Sequence, residues 1–107
     1  MTTSMDERRE AFERKFAHDE MLRFKARARR DRLFGLWAAE LLGRKDGLAD
    51  VYARGVVAAD FIEPGDEAVF EKVRADLRAG GLALADAAIR DRMSFYWEEA
   101  IRQLMYD

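Results

Sequence analysis

His18 is the one histidine of the chain, in the run Ala17-His18-Asp19-Glu20, and histidine is the residue type whose charge switches near neutral pH. Acid–base or nucleophilic work needs a partner within hydrogen-bond reach, and a lone histidine has neither a second ligand nor a nucleophile to pair with. His18, Asp19 and Glu20 also make a poor metal cage, because three consecutive helical residues point in three directions. A solvated surface position is therefore expected for His18. The chain has no cysteine, which excludes disulfides, thiolate catalysis and thiol-ligated zinc. The glycine-containing stretches Gly43 to Gly47 and Gly80-Gly81 lack the pattern and the trailing Lys-Ser/Thr of a phosphate loop. The expectation is a protein that is not an enzyme, with no catalytic residue, no metal and no cofactor.

Chemistry of contact is better represented. Met5, Phe12 and Phe16 stand seven and four residues apart, a thin apolar stripe flanked by ten charged residues between Asp6 and Glu20. Such a stripe buries too little to hold a short helix in water, so Met1 to about His18 is expected to fray or be partly disordered in the free protein. It is instead the pattern of a helix that folds into an apolar groove on a partner, with Phe12 and Phe16 as anchors one turn apart. After it comes a basic segment, Arg23, Lys25, Arg27, Arg29, Arg30 and Arg32, interrupted by Asp31 and carrying five net positive charges over ten residues. Those charges would wrap most of a helix and can pair with acidic neighbours at i,i+4, and Phe24 alone is no stacking platform for bases. A structural or protein-contact role is preferred over nucleic acid; a small adaptor or nucleic-acid-associated protein using Arg23 to Arg32 is the alternative. In Phe95-Tyr96-Trp97, residues about 100° apart on a helix, one or two rings should be core and the remaining one exposed.

The elements that position these residues are helical. From Asp6 to about Leu42 the chain is rich in Glu, Arg, Lys, Ala and Leu, without proline, which predicts one long helix or two in series. Its second part has the broad stripe Leu33, Trp37 and Leu41 with Phe34, Ala38 and Leu42. Gly43 ends it, and Asp46 is placed to cap a second helix reaching about Ile62, with Leu48, Val51, Tyr52, Val56, Ala59 and Ile62 facing the core and Gly55 on the same face. Glu63-Pro64-Gly65-Asp66 is a turn whose last residue can cap a third helix, carrying Val69 or Phe70, Val73 and Leu77 to Gly80-Gly81. A last helix presents Ile89, Met93, Tyr96, Trp97, Ala100, Ile101 and Leu104 on one side. Short connections favour antiparallel neighbours, giving an all-α, four-helix bundle-like domain over residues 21–107 behind a mobile, partly helical N-terminal arm over residues 1–20.

Composition sets the frame. A chain of 107 residues, 50% hydrophobic and 37% charged, suits one domain of amphipathic helices. Its net charge of −2 conceals a polarity: residues 1–45 hold 12 basic against 8 acidic residues, residues 46–107 hold 7 against 13. The N-terminus lacks the apolar core of a secretory signal, and no apolar run approaches the roughly 20 residues needed to span a bilayer, so a cytoplasmic location is expected.

Two blocks carry a resemblance over nearly the whole chain. The first is Ala11-Phe12-Glu13-Arg14-Lys15-Phe16-Ala17-His18-Asp19-Glu20 with Leu22-Arg23-Phe24-Lys25, Ala28-Arg29-Arg30, Gly35-Leu36-Trp37-Ala38-Ala39-Glu40 and Leu42-Gly43. The second is Val56-Val57-Ala58-Ala59-Asp60-Phe61 and Glu63-Pro64-Gly65-Asp66-Glu67, followed by Lys72-Val73 and Asp76-Leu77. Together they resemble the inhibitory zeta-subunit family of alphaproteobacterial F-type ATP synthases. The resemblance implies a four-helix domain with a mobile arm that blocks ATP hydrolysis by folding into the catalytic interface of the α and β subunits beside the γ stalk. It places Met5, Arg8, Arg9, Phe12, Arg14, Lys15, Phe16 and His18 in the inhibitory arm, and Arg23, Lys25, Arg27, Arg29 and Arg30 become its secondary contact. It further implies a free monomer that reaches the inner face of the cell membrane only through the synthase. The last helix departs from the family pattern: Ala85 stands at its start in place of a polar cap, leaving Asp86 to cap, and Phe95-Tyr96-Trp97 follow Met93 where the family is charged.

Overall fold

The computed structural model describes residues 4–107, all helices and short connections, with no strand among the described residues; Met1 to Thr3 of the expected arm lie outside them. Five helices follow in order: α1 (Ser4–His18), α2 (Glu20–Leu41), α3 (Gly47–Ile62), α4 (Asp66–Ala79) and α5 (Asp86–Met105). The first helical region is thus two helices in series. They part at Asp19, whose backbone is extended and whose carboxylate accepts from the Leu22 amide at 3.0 Å, starting α2 afresh without any proline or glycine at the joint.

Helix α2 is the axis of the bundle and packs on all four others. Its Phe34, Ala38 and Ala39 meet Tyr52 and Val56 of α3, Val69, Phe70, Val73 and Leu77 of α4, and Ile89 and Met93 of α5. Both Val69 and Phe70 are buried, so the choice between them dissolves. Trp37, Leu42 and Tyr96 close the edges of this core. The α2–α3 contact is the tightest: a Cβ on Gly35 would come within 2.8 Å of the Ala53 Cα. Only a glycine lets the two backbones approach so closely.

Several positions differ from the sequence expectation. Leu48, Val51 and Ile62 face solvent, Ile62 at 85% exposure, and Leu41 is exposed as well. Tyr52 and Val56 are buried as expected, and Ala53 and Asp60 complete the buried face of α3. Gly55 permits no such close approach, since a Cβ there would make only an ordinary 3.7 Å contact with the end of Lys72. None of the three expected aspartate caps forms a side-chain cap bond. Asp46 sits at the N-cap of α3 with φ 52°, Gly65 takes the N-cap of α4, and Ala85 takes that of α5. The carboxylates of Asp66 and Asp86 go to arginines instead, to Arg30 at 2.9 Å and Arg74 at 3.0 Å. A charged donor outcompetes the backbone amide there.

Candidate functional site

Helix α1 carries the expected anchors and is the one helix with no buried residue. It nevertheless lies against α2 and α5. Phe12 stacks on Phe16 with ring centroids 5.9 Å apart, as the four-residue spacing dictates, and Phe16 meets the edge of Trp97 at 5.7 Å. The Arg8 guanidinium lies 4.9 Å from the Tyr106 ring centre. Arg9 donates to Glu13 at 3.0 Å and to Glu98 on α5 at 3.4 Å, and its pKa is raised first by the Glu13 hydrogen bond and then by Glu98. Met5, Arg14, Lys15 and His18 are exposed. The last three surround an open hollow with Asp19, Glu20 and Arg23, so the solvated position expected for His18 is where the fold puts it.

The basic segment is built into the fold along α2. Arg23 turns back to donate to the carbonyls of Phe16 at 3.0 Å and Ala17 at 2.8 Å, satisfying two of the free acceptors at the end of α1. Arg27 pairs with Asp60, Arg29 with Asp107 at 2.8 Å, and Arg32 with Asp50 at 2.8 Å. Arg30 is 3% exposed and is held by Asp31 at 2.8 Å and by Asp66. Lys25 is exposed. The guanidiniums of Arg27, Arg29, Arg30 and Arg32 thus already face carboxylates, which leaves little free charge for phosphates.

A buried polar cluster behind this segment has no counterpart in the sequence reading. Arg30, Asp31 and Asp60 are buried, with Asp31 1% exposed. The cluster joins two guanidiniums, Arg27 and Arg30, to three carboxylates, Asp31, Asp60 and the exposed Asp66. The excess negative charge in the interior is removed by a proton. Burial pushes the Asp31 carboxyl up to about 8, the facing Asp60 pushes it the same way, and Arg30 only partly opposes them. For Asp60, hydrogen bonds from Asp31, the Gly65 amide and Arg27 outweigh burial and hold its carboxyl low. Asp31 Oδ1 accepts from Arg30, while Oδ2 has no partner if the group is written ionised. Protonated, it becomes a donor facing Asp60. Two sequence signals point to this cluster: one acid inside six basic residues at Asp31, and one acid inside the apolar run Val56 to Ile62 at Asp60.

Asp31 and Asp60 also line a groove of about 470 Å³ walled by Phe16, Phe24, Val57, Phe61 and Trp97. Phe24 and Phe61 meet edge to face at 5.2 Å and stay largely exposed, and Phe95 is the exposed ring of its trio. Among the described residues no group of three or more metal-binding side chains converges. No helix among the described residues is long and apolar enough to cross a membrane.

The fold is a compact helical core carrying an outer helix with a Phe12–Phe16 pair and charges of both signs. The comparison with protein families gives this fold its family. The model of the family described as ATPase inhibitor subunit zeta matches residues 1–103, and the chain belongs to this family. A comparison with curated proteins gives no match.

Proposed function

We propose that the protein inhibits ATP hydrolysis by an F-type ATP synthase by inserting its N-terminal arm, residues 1–20, between the catalytic α and β subunits beside the γ stalk. The observation that carries this reading is α1 itself: a fully formed helix with its Phe12–Phe16 pair in a family of ATPase inhibitors, yet with no residue buried in its own domain. A helix of 15 residues is marginal in water without packing, so it gains most from a partner's groove. Phe12 and Phe16 supply the apolar contact. Met5 extends the stripe, and Arg8, Arg9, Arg14, Lys15 and His18 supply polar contacts around it. Residues 21–107 anchor the arm from outside, with Arg23, Lys25, Arg27 and Arg29 forming a shoulder at the base of the helix. Arg30 supports that shoulder from within. The action is steric, by wedging rotation in the hydrolytic direction, and calls for no catalytic group, cofactor or nucleic acid. It places the protein, as a free monomer, at the cytoplasmic face of the membrane through the synthase.

The test adds the purified protein to the cognate catalytic head and measures ATP hydrolysis. The intact chain should inhibit, and the Phe12→Ala/Phe16→Ala variant should need a concentration at least tenfold higher, since buried aromatic anchors at interfaces are worth about 2 kcal/mol or more. An intact chain that leaves hydrolysis unchanged refutes the proposal. Equal potency of the double variant refutes the role of the anchors.

A further inference from the structure

We propose that α5 is an intramolecular docking surface for the arm, so that the free protein keeps its Phe16 anchor occupied and a partner must compete with Trp97 for it. Three contacts define the surface. Arg8 lies over Tyr106, Arg9 reaches Glu98, and Phe16 meets Trp97 edge to face. Two of them, Arg8–Tyr106 and Phe16–Trp97, run antiparallel, about 12 Å apart along α1 and about 13 Å apart along α5 and its C-cap, while Arg9 reaches across to Glu98 beside Trp97. Contacts two turns apart along α1 form a surface rather than an isolated touch. The joint at Asp19 belongs to the same device. It contains no helix breaker, and Arg23 holds the bend by donating to the Phe16 and Ala17 carbonyls.

The latch is weak by construction. No residue of α1 is buried, and the Arg9–Glu98 pair is exposed on both sides. It therefore reduces the fraction of chains with a free arm without abolishing it, and apparent affinity falls by that fraction. The regulatory consequence rests on the proposed inhibitory function; the latch itself does not.

Two variants of the full-length protein test it, Trp97→Ala and Glu98→Lys. The second alters an exposed side chain and reverses the charge facing Arg9, so it remains informative should the first disturb the core. Amide hydrogen exchange is the first readout. Exchange across residues 4–18 should quicken by roughly two- to tenfold for Trp97→Ala, the range of one aromatic pair, and by up to about fivefold for Glu98→Lys, while the Val73 and Leu77 amides keep their rates. In the hydrolysis assay the half-inhibiting concentration should fall by similar factors. Unchanged arm exchange in both variants, or a rise in half-inhibiting concentration despite faster exchange, overturns the latch. Faster arm exchange with no inhibition by any form, wild type included, supports the latch and refutes the inhibitory function instead.

Discussion

Replacing Asp31 by Asn isolates the buried proton. In the unfolded chain the Asp31 carboxyl ionises at its ordinary value of 3.8, and in the fold burial and Asp60 raise it to about 8. The folded state therefore binds more protons than the unfolded state between these limits. Stability from this group is complete below about pH 4 and is lost as pH rises to about 8, at about 1.4 kcal/mol per pH unit. By pH 7 the loss is on the order of 4 kcal/mol, an upper figure because relaxation of the site softens it. An Asn removes the titration and keeps the geometry: its carbonyl oxygen replaces Oδ1 as acceptor for Arg30, and its amide donates toward Asp60 as the protonated carboxyl does. Urea unfolding followed by helical circular dichroism, on both proteins from about pH 5 to about pH 8, reads the difference directly. The variant should be more stable at pH 7 by about 1 to 4 kcal/mol, with the gap closing toward pH 5. A gap that does not change with pH, or a variant less stable than wild type at pH 7, refutes the protonated-carboxyl account.

The two helical glycines at the centre of the bundle should respond in opposite directions. Gly35→Ala drives a methyl to within 2.8 Å of the Ala53 backbone and should cost about 1 to 3 kcal/mol in urea unfolding as α2 and α3 are pushed apart. Gly55→Ala meets only the far end of Lys72 and should stabilise by about 0.5 to 1 kcal/mol through helix propensity. Breaking the buried network by Arg30→Met removes the guanidinium between Asp31 and Asp66; it should destabilise by about 1 to 3 kcal/mol through the lost hydrogen bonds, by nearly the same amount at pH 5 and pH 7 because Asp31 is protonated in the fold at both.

The helices were readable because each has its own signal. Gly43 and Gly80-Gly81 stop α2 and α4 where expected, the spacing of Val69, Phe70, Val73 and Leu77 marks the inner face of α4, and Pro64-Gly65 separates α3 from α4. The face of α3 was legible at Tyr52 and Val56, but apolar side chains occur nearly all round the helix. Leu48, Val51 and Ile62 fit a helical repeat as well as these do, and packing of Ala53 and Val56 against Gly35 selects the buried side. The caps were misread because Asp66 and Asp86 have local amides and distant arginines in reach, and sequence shows only the amides.

The arm presents the same division. Helix formers, the four-residue Phe12–Phe16 interval and the thin stripe established from sequence alone an amphipathic segment fit for a partner, because these are properties of neighbours on one helix. Where that segment rests, and which of the six basic residues behind it remain available, depended on groups 30 to 100 residues away. Trp97, Glu98 and Tyr106 meet the arm, and Asp60, Asp66 and Asp107 take the charges of Arg27, Arg30 and Arg29. Local periodicity determines which residues share a helical face, whereas the partner of that face is decided only when the helices pack.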